Sequence, residues 1–145
     1  MQENEFISLV EKIKQENPVW FGLDSDCIPT IETIKEIETQ LNFSFPDDYI
    51  AFISRYGGGF FAFGNVYSLD IDSEWFLLLK NSMNKQINKE HLLISENGCG
   101  DFYGYLIKNS KCTSKIEFYD HEDGKWYQTN FNNIFEYLSE FALTS

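Results

Sequence analysis

The segment from Phe45 to Gly64, FPDDYIAFISRYGGGFFAFG, places a short amphipathic stretch directly before three consecutive glycines. Pro46 is tolerated in the first turn of a helix, where backbone N–H groups have no partners, and Asp47 and Asp48 favour the positive end of the helix dipole. Tyr49, Phe52, Ile53 and Tyr56 then form an apolar stripe at helical spacing. Gly57 follows this stripe, at the position where a left-handed C-cap favours glycine. The segment therefore predicts a helix that stops at Gly57 and turns into a strand.

The glycine run, Gly57 to Gly59, also raises the question of a phosphate site. A phosphate-binding loop places its glycines before a helix, so that free N–H groups and the positive end of the dipole face the anion. In this chain the glycines follow the end of a helix, where unpaired carbonyl groups repel anions, and no Lys-Ser or Lys-Thr pair comes after them. The order therefore favours a C-cap and a turn into a strand.

Apolar residues at helical spacing predict further helices along the chain. The first spans roughly residues 3 to 16, and Thr30 is placed to cap a second helix whose apolar stripe runs from Ile31 to Leu41. The stretch DSEWFLLLKNSMNK predicts a helix opened by Asp72 or Ser73, although its continuous apolar run also fits a strand. A last stripe predicts a C-terminal helix with Ile134, Leu138, Phe141 and Ala142.

Aromatic and β-branched runs predict the strands. FFAFGNVYSL indicates a strand or hairpin, with Gly64-Asn65 as the turn, and HLLIS, DFYGYLI, KIEFYD and KWYQ indicate four more strands. Residues 121–124 join the last two, and their Asp-Gly pair is a hairpin signal. Both alternating sets of side chains in Phe102–Ile107 are apolar or aromatic, which indicates a central strand. The order predicts a single α+β domain over residues 1–145, with N-terminal helices, a mainly antiparallel sheet of about five or six strands, and a C-terminal helix.

The chain is strongly acidic, with 23 Asp and Glu residues against 11 Lys and Arg, a formal net charge of −12. A nucleic-acid-binding protein must neutralise phosphates, so direct binding of DNA or RNA is not expected. The same charge would steer a basic protein partner to the surface, or it serves only to keep the chain soluble. The N-terminus shows neither a signal peptide nor a membrane span, and Cys27, Cys99 and Cys112 are dispersed. A cytoplasmic protein with reduced thiols is therefore expected.

A metal site and a thiol nucleophile are the two chemical sites that the residues suggest. Asp120-His121-Glu122-Asp123 has metal-ligand side chains, but four consecutive residues on a short turn do not easily converge on one ion, so a solvated hairpin is preferred. Cys99, in a run of small residues, could act as a nucleophile with His91 or His121, or it is only a small buried residue. No nucleophile motif is present, and neither a catalytic residue, a metal nor a cofactor is expected.

Two acidic surfaces are candidates for binding a protein partner. Asp70, Asp72 and Glu74 surround Trp75, and an aromatic anchor ringed by carboxylates would suit a basic protein. The second surface is the acidic turn with Asp120, Glu122 and Asp123. The alternative is that Trp75 belongs to the core and that the acids are ordinary solvated residues.

Several of these segments together resemble domains of the SUKH superfamily, a family of bacterial immunity proteins that includes the fungal cell-wall assembly regulator. The helix of residues 31–41, followed by Phe45-Pro46-Asp47-Asp48-Tyr49 and by Tyr56-Gly57-Gly58-Gly59, is similar to the amphipathic helix, the L-P-x-x-Y and the N-G-G segments of that family. The family's G-D-x-Y strand, D-H-E strand end and terminal helix resemble residues 97–103, 120–122 and 131–138. The resemblance covers roughly residues 30 to 141.

The resemblance implies an α+β domain and, for many bacterial members, a protein that binds and neutralises a toxin made by the same cell, often a nuclease. The first hypothesis is therefore a non-catalytic immunity protein whose partner is a cognate toxin domain, expected to be basic. The second is a regulatory or scaffolding module that recruits a host protein, as the fungal relatives suggest. The third is a thiol enzyme that uses Cys99.

Overall fold

Five α-helices, six β-strands and one short 3₁₀ helix follow one another in a computed structural model that describes residues 1–145. The helices are α1 Glu3–Glu16, the 3₁₀ helix Pro18–Phe21, α2 Ile31–Leu41, α3 Asp47–Tyr56, α4 Leu77–Ser82 and α5 Ile134–Phe141. The strands are β1 Gly59–Phe61, β2 Gly64–Val66, β3 His91–Glu96, β4 Phe102–Lys108, β5 Lys111–Asp120 and β6 Lys125–Gln128.

The strands form two antiparallel sheets. β1 and β2 pair as a hairpin, and the larger sheet has the order β3-β4-β5-β6, so that each strand pairs with its neighbour in the chain. The hairpin lies beside the edge of β3, where the N–H of Tyr67 donates to the carbonyl of Ile94 at 2.7 Å. The predicted α+β class is confirmed: N-terminal helices precede the antiparallel strands, a helix closes the chain, and β4 is the central strand that its sequence indicates.

The ends of the first three helices agree with the sequence signals. α1 covers the predicted residues, and the side chain of Thr30 caps α2 by accepting a hydrogen bond from Thr33 N at 3.1 Å. Pro46 is the N-cap residue of α3 and so lies just before the first turn instead of inside it. Gly57 ends α3 with φ +82°, as a glycine C-cap requires.

The predicted start of the fourth helix is wrong. α4 begins at Leu77, and Asp72 and Ser73 lie in turns before it. Asp70 accepts a hydrogen bond from the N–H of Asp72 at 3.0 Å, and Ser73 accepts one from the N–H of Trp75 at 2.9 Å. These side chains bond to backbone two residues further on, a local arrangement that competes with a helix.

The predicted turn at Gly64-Asn65 is also wrong, because both residues belong to β2. The hairpin turns at Ala62 and Phe63, and Ala62 has φ +49°. Gly64 is small for another reason: a Cβ there would lie 3.0 Å from the Cβ of Ala142, just beyond α5. Phe63 N–H donates to the carbonyl of Ala142 at 3.0 Å, so close packing of the C-terminal segment explains the glycine.

Strand β5 begins earlier than the predicted strand KIEFYD. Asn109 and Ser110 have φ +52° and +59° and form a tight turn that pairs Lys108 with Lys111. Both central residues of a type I′ turn need positive φ, and asparagine tolerates this region better than most residues. The pair Asn-Ser is a weaker hairpin signal than Asn-Gly, so the start of the strand is not apparent from the sequence.

Aromatic and aliphatic side chains form one buried cluster between the helices and the larger sheet. Phe6 of α1 is fully buried there, and its ring lies 5.0–6.2 Å from the rings of Phe52, Phe61 and Phe135, measured between centroids. Side chains from α3, β1 and α5 therefore hold α1 in place. Burying one aromatic ring of this size contributes about 3–5 kcal/mol by comparison with alanine.

Asp48 is buried in α3 and joins four elements through its carboxylate. Oδ2 accepts hydrogen bonds from the hydroxyl of Tyr105 at 2.6 Å and from the N–H of Ile134 at 2.8 Å, and Oδ1 accepts one from Ser114 at 2.6 Å. A buried carboxylate is tolerated only when hydrogen bonds replace its water. Asp48 therefore connects α3 to β4, to β5 and to the first residue of α5, besides lying near the positive end of its own helix.

The glycine run does more than end α3. Gly57, Gly58 and Gly59 all have positive φ, and a Cβ on Gly57 would lie 2.0 Å from the carbonyl oxygen of Asp26. Asp26 N–H donates to the carbonyl of Gly58 at 2.9 Å, and Ser25 forms a β-bridge with Gly59. The loop of residues 22–30, between the 3₁₀ helix and α2, therefore packs directly on Gly57 and Gly59, where a side chain would push it away.

Candidate protein-binding surfaces

The acidic segment that follows β2 is organised by Asp70. Oδ2 of Asp70 accepts a hydrogen bond from the N–H of Cys27 at 3.2 Å, while Oδ1 accepts the one from Asp72. Asp72 and Glu74 are exposed, and neither carboxylate forms a hydrogen bond or salt bridge. The structure therefore brings these predicted residues together, with Asp70 shaping the turn and two free carboxylates beside it.

Trp75 is half-buried, which lies between the two possibilities that the sequence left open, an aromatic anchor at the surface and a core residue. Its ring packs against Phe60 and Tyr67, with centroids 5.3 and 6.4 Å apart, and Nζ of Lys80 lies 4.9 Å from the Trp75 ring centroid. The indole N–H is buried and has no hydrogen-bond partner. Trp75 thus packs on the core with one edge and faces a surface cleft with the other.

The cleft beside Trp75 has a volume of about 510 Å³ and is called here the Trp75 cleft. Tyr103, Tyr137 and Phe141 supply its aromatic wall, and the ion pair of Lys80 with Glu96, 2.6 Å between Nζ and Oε1, crosses its polar side. Burial, and then the charge of Glu96, raise the pKa of the adjacent Tyr67 hydroxyl far above its usual value. No cysteine, serine or histidine lines the cleft, so its shape suits binding of a side chain better than covalent chemistry.

The second acidic surface is the turn between β5 and β6, as the sequence predicts. Asp120 accepts a hydrogen bond from the N–H of Glu122 at 2.9 Å, and Asp123 accepts one from the N–H of Lys125 at 3.0 Å. The hydroxyl of Tyr127 also donates to Asp123, and this contact lowers the pKa of the Asp123 carboxyl. Asp120 and Asp123 therefore shape the turn, and Glu122 projects into solvent.

Asp101 is a neighbour of this turn that the sequence did not single out. Its Oδ1 accepts hydrogen bonds from the backbone N–H of His121 at 2.9 Å and lies 2.6 Å from Nδ1 of the same residue. These contacts lower the pKa of Asp101 to about 2, and the carboxylate raises the pKa of His121 above 6.5. The only sequence signal was the G-D-x-Y pattern, which gives no partner for the aspartate.

Metal-ligand atoms of Asp101, Asp120 and His121 all lie within 4.8 Å of one another. The sequence suggested that residues 120–123 would not converge on one ion, because they follow one another on a short turn. In the structure, two of them lie close to an aspartate from another loop. Nδ1 of His121 already lies 2.6 Å from Oδ1 of Asp101, and the two residues form an ion pair that joins two loops when the imidazole is protonated. It fixes the loop of residues 97–101 against the β5–β6 turn.

Cys99 lies in that loop and is exposed, so the alternative that it is a small buried residue is wrong. Its thiol forms no hydrogen bond with either histidine, and His91 is buried, with Nε2 2.8 Å from Oε1 of Glu117 and its ring stacked on Trp126. The structure therefore does not place Cys99 and His91 as a nucleophile and its base. Gly98 of the same loop lines the Trp75 cleft and Asp101 contacts His121, so the two acidic surfaces lie on either side of one loop.

None of the helices has the length and the apolar character that a membrane span requires.

A comparison with known families tests the resemblance to SUKH domains that the motifs indicate. A family model described as SUKH_6, SMI1-KNR4 cell-wall, matches residues 31–138. The chain belongs to the SUKH superfamily. A search of curated proteins gave no match. The SUKH match runs from α2 into α5 and includes the β5–β6 turn and the lining of the Trp75 cleft except Phe141, whereas the 22–30 loop lies before it. Membership is consistent with a role as an immunity protein.

Proposed function

We propose that this SUKH protein is an immunity protein that acts in the cytoplasm by binding one cognate toxin domain and covering its active surface without turnover. The observation that carries the proposal is the SUKH match over residues 31–138, because the family is generally a non-catalytic, immunity-type domain. A binding role needs an exposed surface of suitable chemistry and no reactive centre. The two acidic surfaces, Asp70, Asp72, Glu74 and Trp75 on one side and Asp120, Glu122 and Asp123 on the other, are candidates for that surface.

The charge of the chain supports a basic partner. A toxin that cleaves nucleic acid must attract phosphates, so its active surface carries lysine and arginine side chains. A protein of net charge −12 competes for the same surface by electrostatic attraction, and exposed carboxylates such as Asp72, Glu74 and Glu122 supply it. We therefore propose a nuclease, or another basic toxin that acts inside the cell, as the partner.

Co-expression tests the proposal. The test begins by looking for a toxin gene beside the gene of this chain. The toxin domain of that neighbouring gene is then expressed in a host cell with and without the chain, and survival and copurification are measured. We expect the chain to restore growth and to copurify with the toxin, with affinity that falls as salt is raised. Continued killing together with no copurification would refute an immunity role.

A regulatory or scaffolding module that recruits a host protein is the second candidate. The word cell-wall in the description of the matching family favours it. The two functions differ in gene context and in phenotype. A regulator has no toxin encoded beside it, and deleting its gene changes the growth of a cell that carries no toxin, whereas deleting an immunity gene is harmless once the toxin gene is also removed.

A further inference from the structure

A groove that shares no lining residue with the Trp75 cleft is formed by α2, by the 22–30 loop and by the segment of residues 69–78. It has a volume of about 480 Å³ and is called here the α2 groove. Its floor includes Ile37 and Leu69, which are buried in the core. At its mouth, Ile28 and Ile71 come from two different loops and expose 55% and 76% of their surface. Large apolar side chains exposed this far beside an apolar floor are typical of a protein-binding site.

The charged groups of the α2 groove are all acidic. Glu36 and Asp70 are the only charged residues among its lining side chains, and neither forms a salt bridge. At the edge of the groove, Asp70 is the main cause of the raised pKa of the Cys27 thiol, and the nearby charges of Asp26 and Asp72 add smaller contributions. Carboxylates without a cation therefore surround an apolar depression.

We infer that the cognate toxin docks on the α2 groove, where it inserts an apolar side chain between Ile28 and Ile71 and places lysine or arginine side chains against Asp70, Asp72 and Glu36. This inference rests on the proposed immunity function and names the surface that performs it. Interfaces have an apolar centre and a polar rim, and the groove has both in the form that a basic partner requires.

Three alternatives, namely one other partner and two other surfaces, fit the structure less well. A second copy of this chain would bring the same carboxylates against one another across a symmetric interface, with like charges opposed. In the Trp75 cleft, Lys80 already covers the ring of Trp75 and neutralises Glu96, so an incoming cation meets a positive charge there. A depression lined by Tyr119, Gly124 and Trp126 adjoins the β5–β6 turn, but Lys89 also lines it, so an incoming cation again meets a positive charge there.

The cysteines of the chain make the inference testable without a mutation. Cys27 lines the α2 groove and is exposed, Cys99 is exposed in the loop between the Trp75 cleft and the β5–β6 turn, and Cys112 is buried with its pKa raised to about 12. The folded chain is treated with iodoacetamide, alone and in complex with a catalytically inactive form of the neighbouring toxin domain. Mass spectrometry then gives the rate of alkylation at each cysteine, so each site is compared with itself.

We expect toxin at about ten times its Kd to slow alkylation of Cys27 about tenfold and to leave Cys99 within about twofold of its free rate. Cys112 should remain unmodified throughout, which reports that the chain stays folded. Protection of Cys99 with unchanged Cys27 would move the interface to the Trp75 cleft or the β5–β6 turn and overturn the inference, while the immunity function would stand. If the wild-type chain does not bind the toxin domain at all, both the docking inference and the proposed immunity function are refuted.

A pair of substitutions gives an independent test. Ile71→Ser removes an exposed β-branched side chain from the groove, and Val19→Ser removes one, 81% exposed, from the 3₁₀ helix outside it. We expect Ile71→Ser to weaken toxin binding about tenfold and Val19→Ser to leave it within about twofold, as measured by calorimetry. Equal affinities for the two variants would overturn the inference even if the wild-type chain protects cells.

Discussion

The backbone N–H of Cys27 donates a hydrogen bond to Oδ2 of Asp70 at 3.2 Å, across a sequence separation of 43 residues. This bond joins the 22–30 loop to the acidic segment before α4, and so joins two walls of the α2 groove. Oδ1 of the same carboxylate accepts a hydrogen bond from the backbone N–H of Asp72. One side chain therefore sets the relative position of the two loops that carry Ile28 and Ile71.

Asp70→Asn should lower the free energy of unfolding by about 1–2 kcal/mol, because the amide keeps one acceptor and turns a donor toward one of the two N–H groups. Urea unfolding measures the change, and hydrogen exchange at the amides of Cys27 and Asp72 should become faster. Asp72→Asn is the control, since that exposed carboxylate forms no hydrogen bond, and its cost should be below about 0.5 kcal/mol. Equal costs for the two variants would contradict the role given to Asp70.

Gly57→Ala should destabilise the fold by about 3 kcal/mol, the sum of a backbone conformation unfavourable for alanine and an overlap with Asp26. Gly98→Ala separates the two effects, because Gly98 has φ +78° but an added Cβ there meets nothing within 4 Å. Its cost should be only about 1 kcal/mol. Urea unfolding of both variants gives the difference, and equal values would show that the 22–30 loop moves away without cost.

Asp48→Ala should lower the free energy of unfolding by about 3 kcal/mol or more, because the buried donors of Tyr105, Ser114 and Ile134 would lose their acceptor. Asp47→Ala is the matched control on the exposed side of the same helix, where only the interaction with the helix dipole, about 0.5 kcal/mol, is lost. Thermal unfolding of both variants checks the prediction. If Asp48→Ala costs no more than Asp47→Ala, the hydrogen bonds across α3 contribute little.

The Asp101–His121 ion pair should make stability depend on pH in two opposite directions. The raised pKa of His121 gives a stabilisation that is fully present below its ordinary value of 6.5 and is lost as the pH rises through the folded value. The lowered pKa of Asp101 gives one that is present above the ordinary value of 3.8 and is lost as the pH falls toward 2. The stabilisation is therefore largest between these ordinary values.

His121→Ala should accordingly cost more stability at about pH 5 than at about pH 9. Urea unfolding at the two pH values measures this difference. In NMR titrations, Asp101→Asn should return the pKa of His121 toward 6.5. An unchanged pKa in this variant, or an equal cost of His121→Ala at both pH values, would show that the charges do not interact.

Charge reversal at the acidic segment tests electrostatic attraction of the toxin. Asp72→Lys combined with Glu74→Lys should slow association about tenfold at low salt and flatten the salt dependence, while dissociation changes less. Glu11→Lys combined with Glu16→Lys, on exposed positions of α1, changes the net charge equally and serves as the control. Equal effects of the two double variants, measured by stopped-flow mixing, would mean that total charge and not this segment attracts the toxin.

Local signals account for what could be predicted from the sequence. Thr30 and Gly57 act within one turn of a helix, and the Asp-Gly pair at residues 123–124 acts within one hairpin, so their residue types are sufficient. The turn at Ala62 was missed because Gly64 has the residue type of a turn, whereas its small size serves the distant Ala142. A requirement set by a partner far along the chain is not visible at the residue that meets it.

The same limit applies to the candidate binding surfaces. The contacts of Asp101 with His121 and of Lys80 with Trp75 depend on how loops and strands pack, and neither follows from spacing. The α2 groove had a weak signal, since Ile28 and Ile71 are apolar residues in acidic loops that carry Asp26 and Asp70. Only the fold shows that these two loops meet, through the bond from Cys27 to Asp70.

The contacts between the glycine run and the 22–30 loop determine which changes of sequence the loop tolerates. The contacts use main-chain atoms, namely the N–H of Asp26 with the carbonyl of Gly58 and the bridge of Ser25 with Gly59, and they hold a loop that lies before the residues 31–138 shared with the family. Main-chain contacts persist when side chains are exchanged. Exchange of a side chain in this loop therefore leaves its attachment to the glycine run in place, so the surface that the loop presents can change without a change in the scaffold.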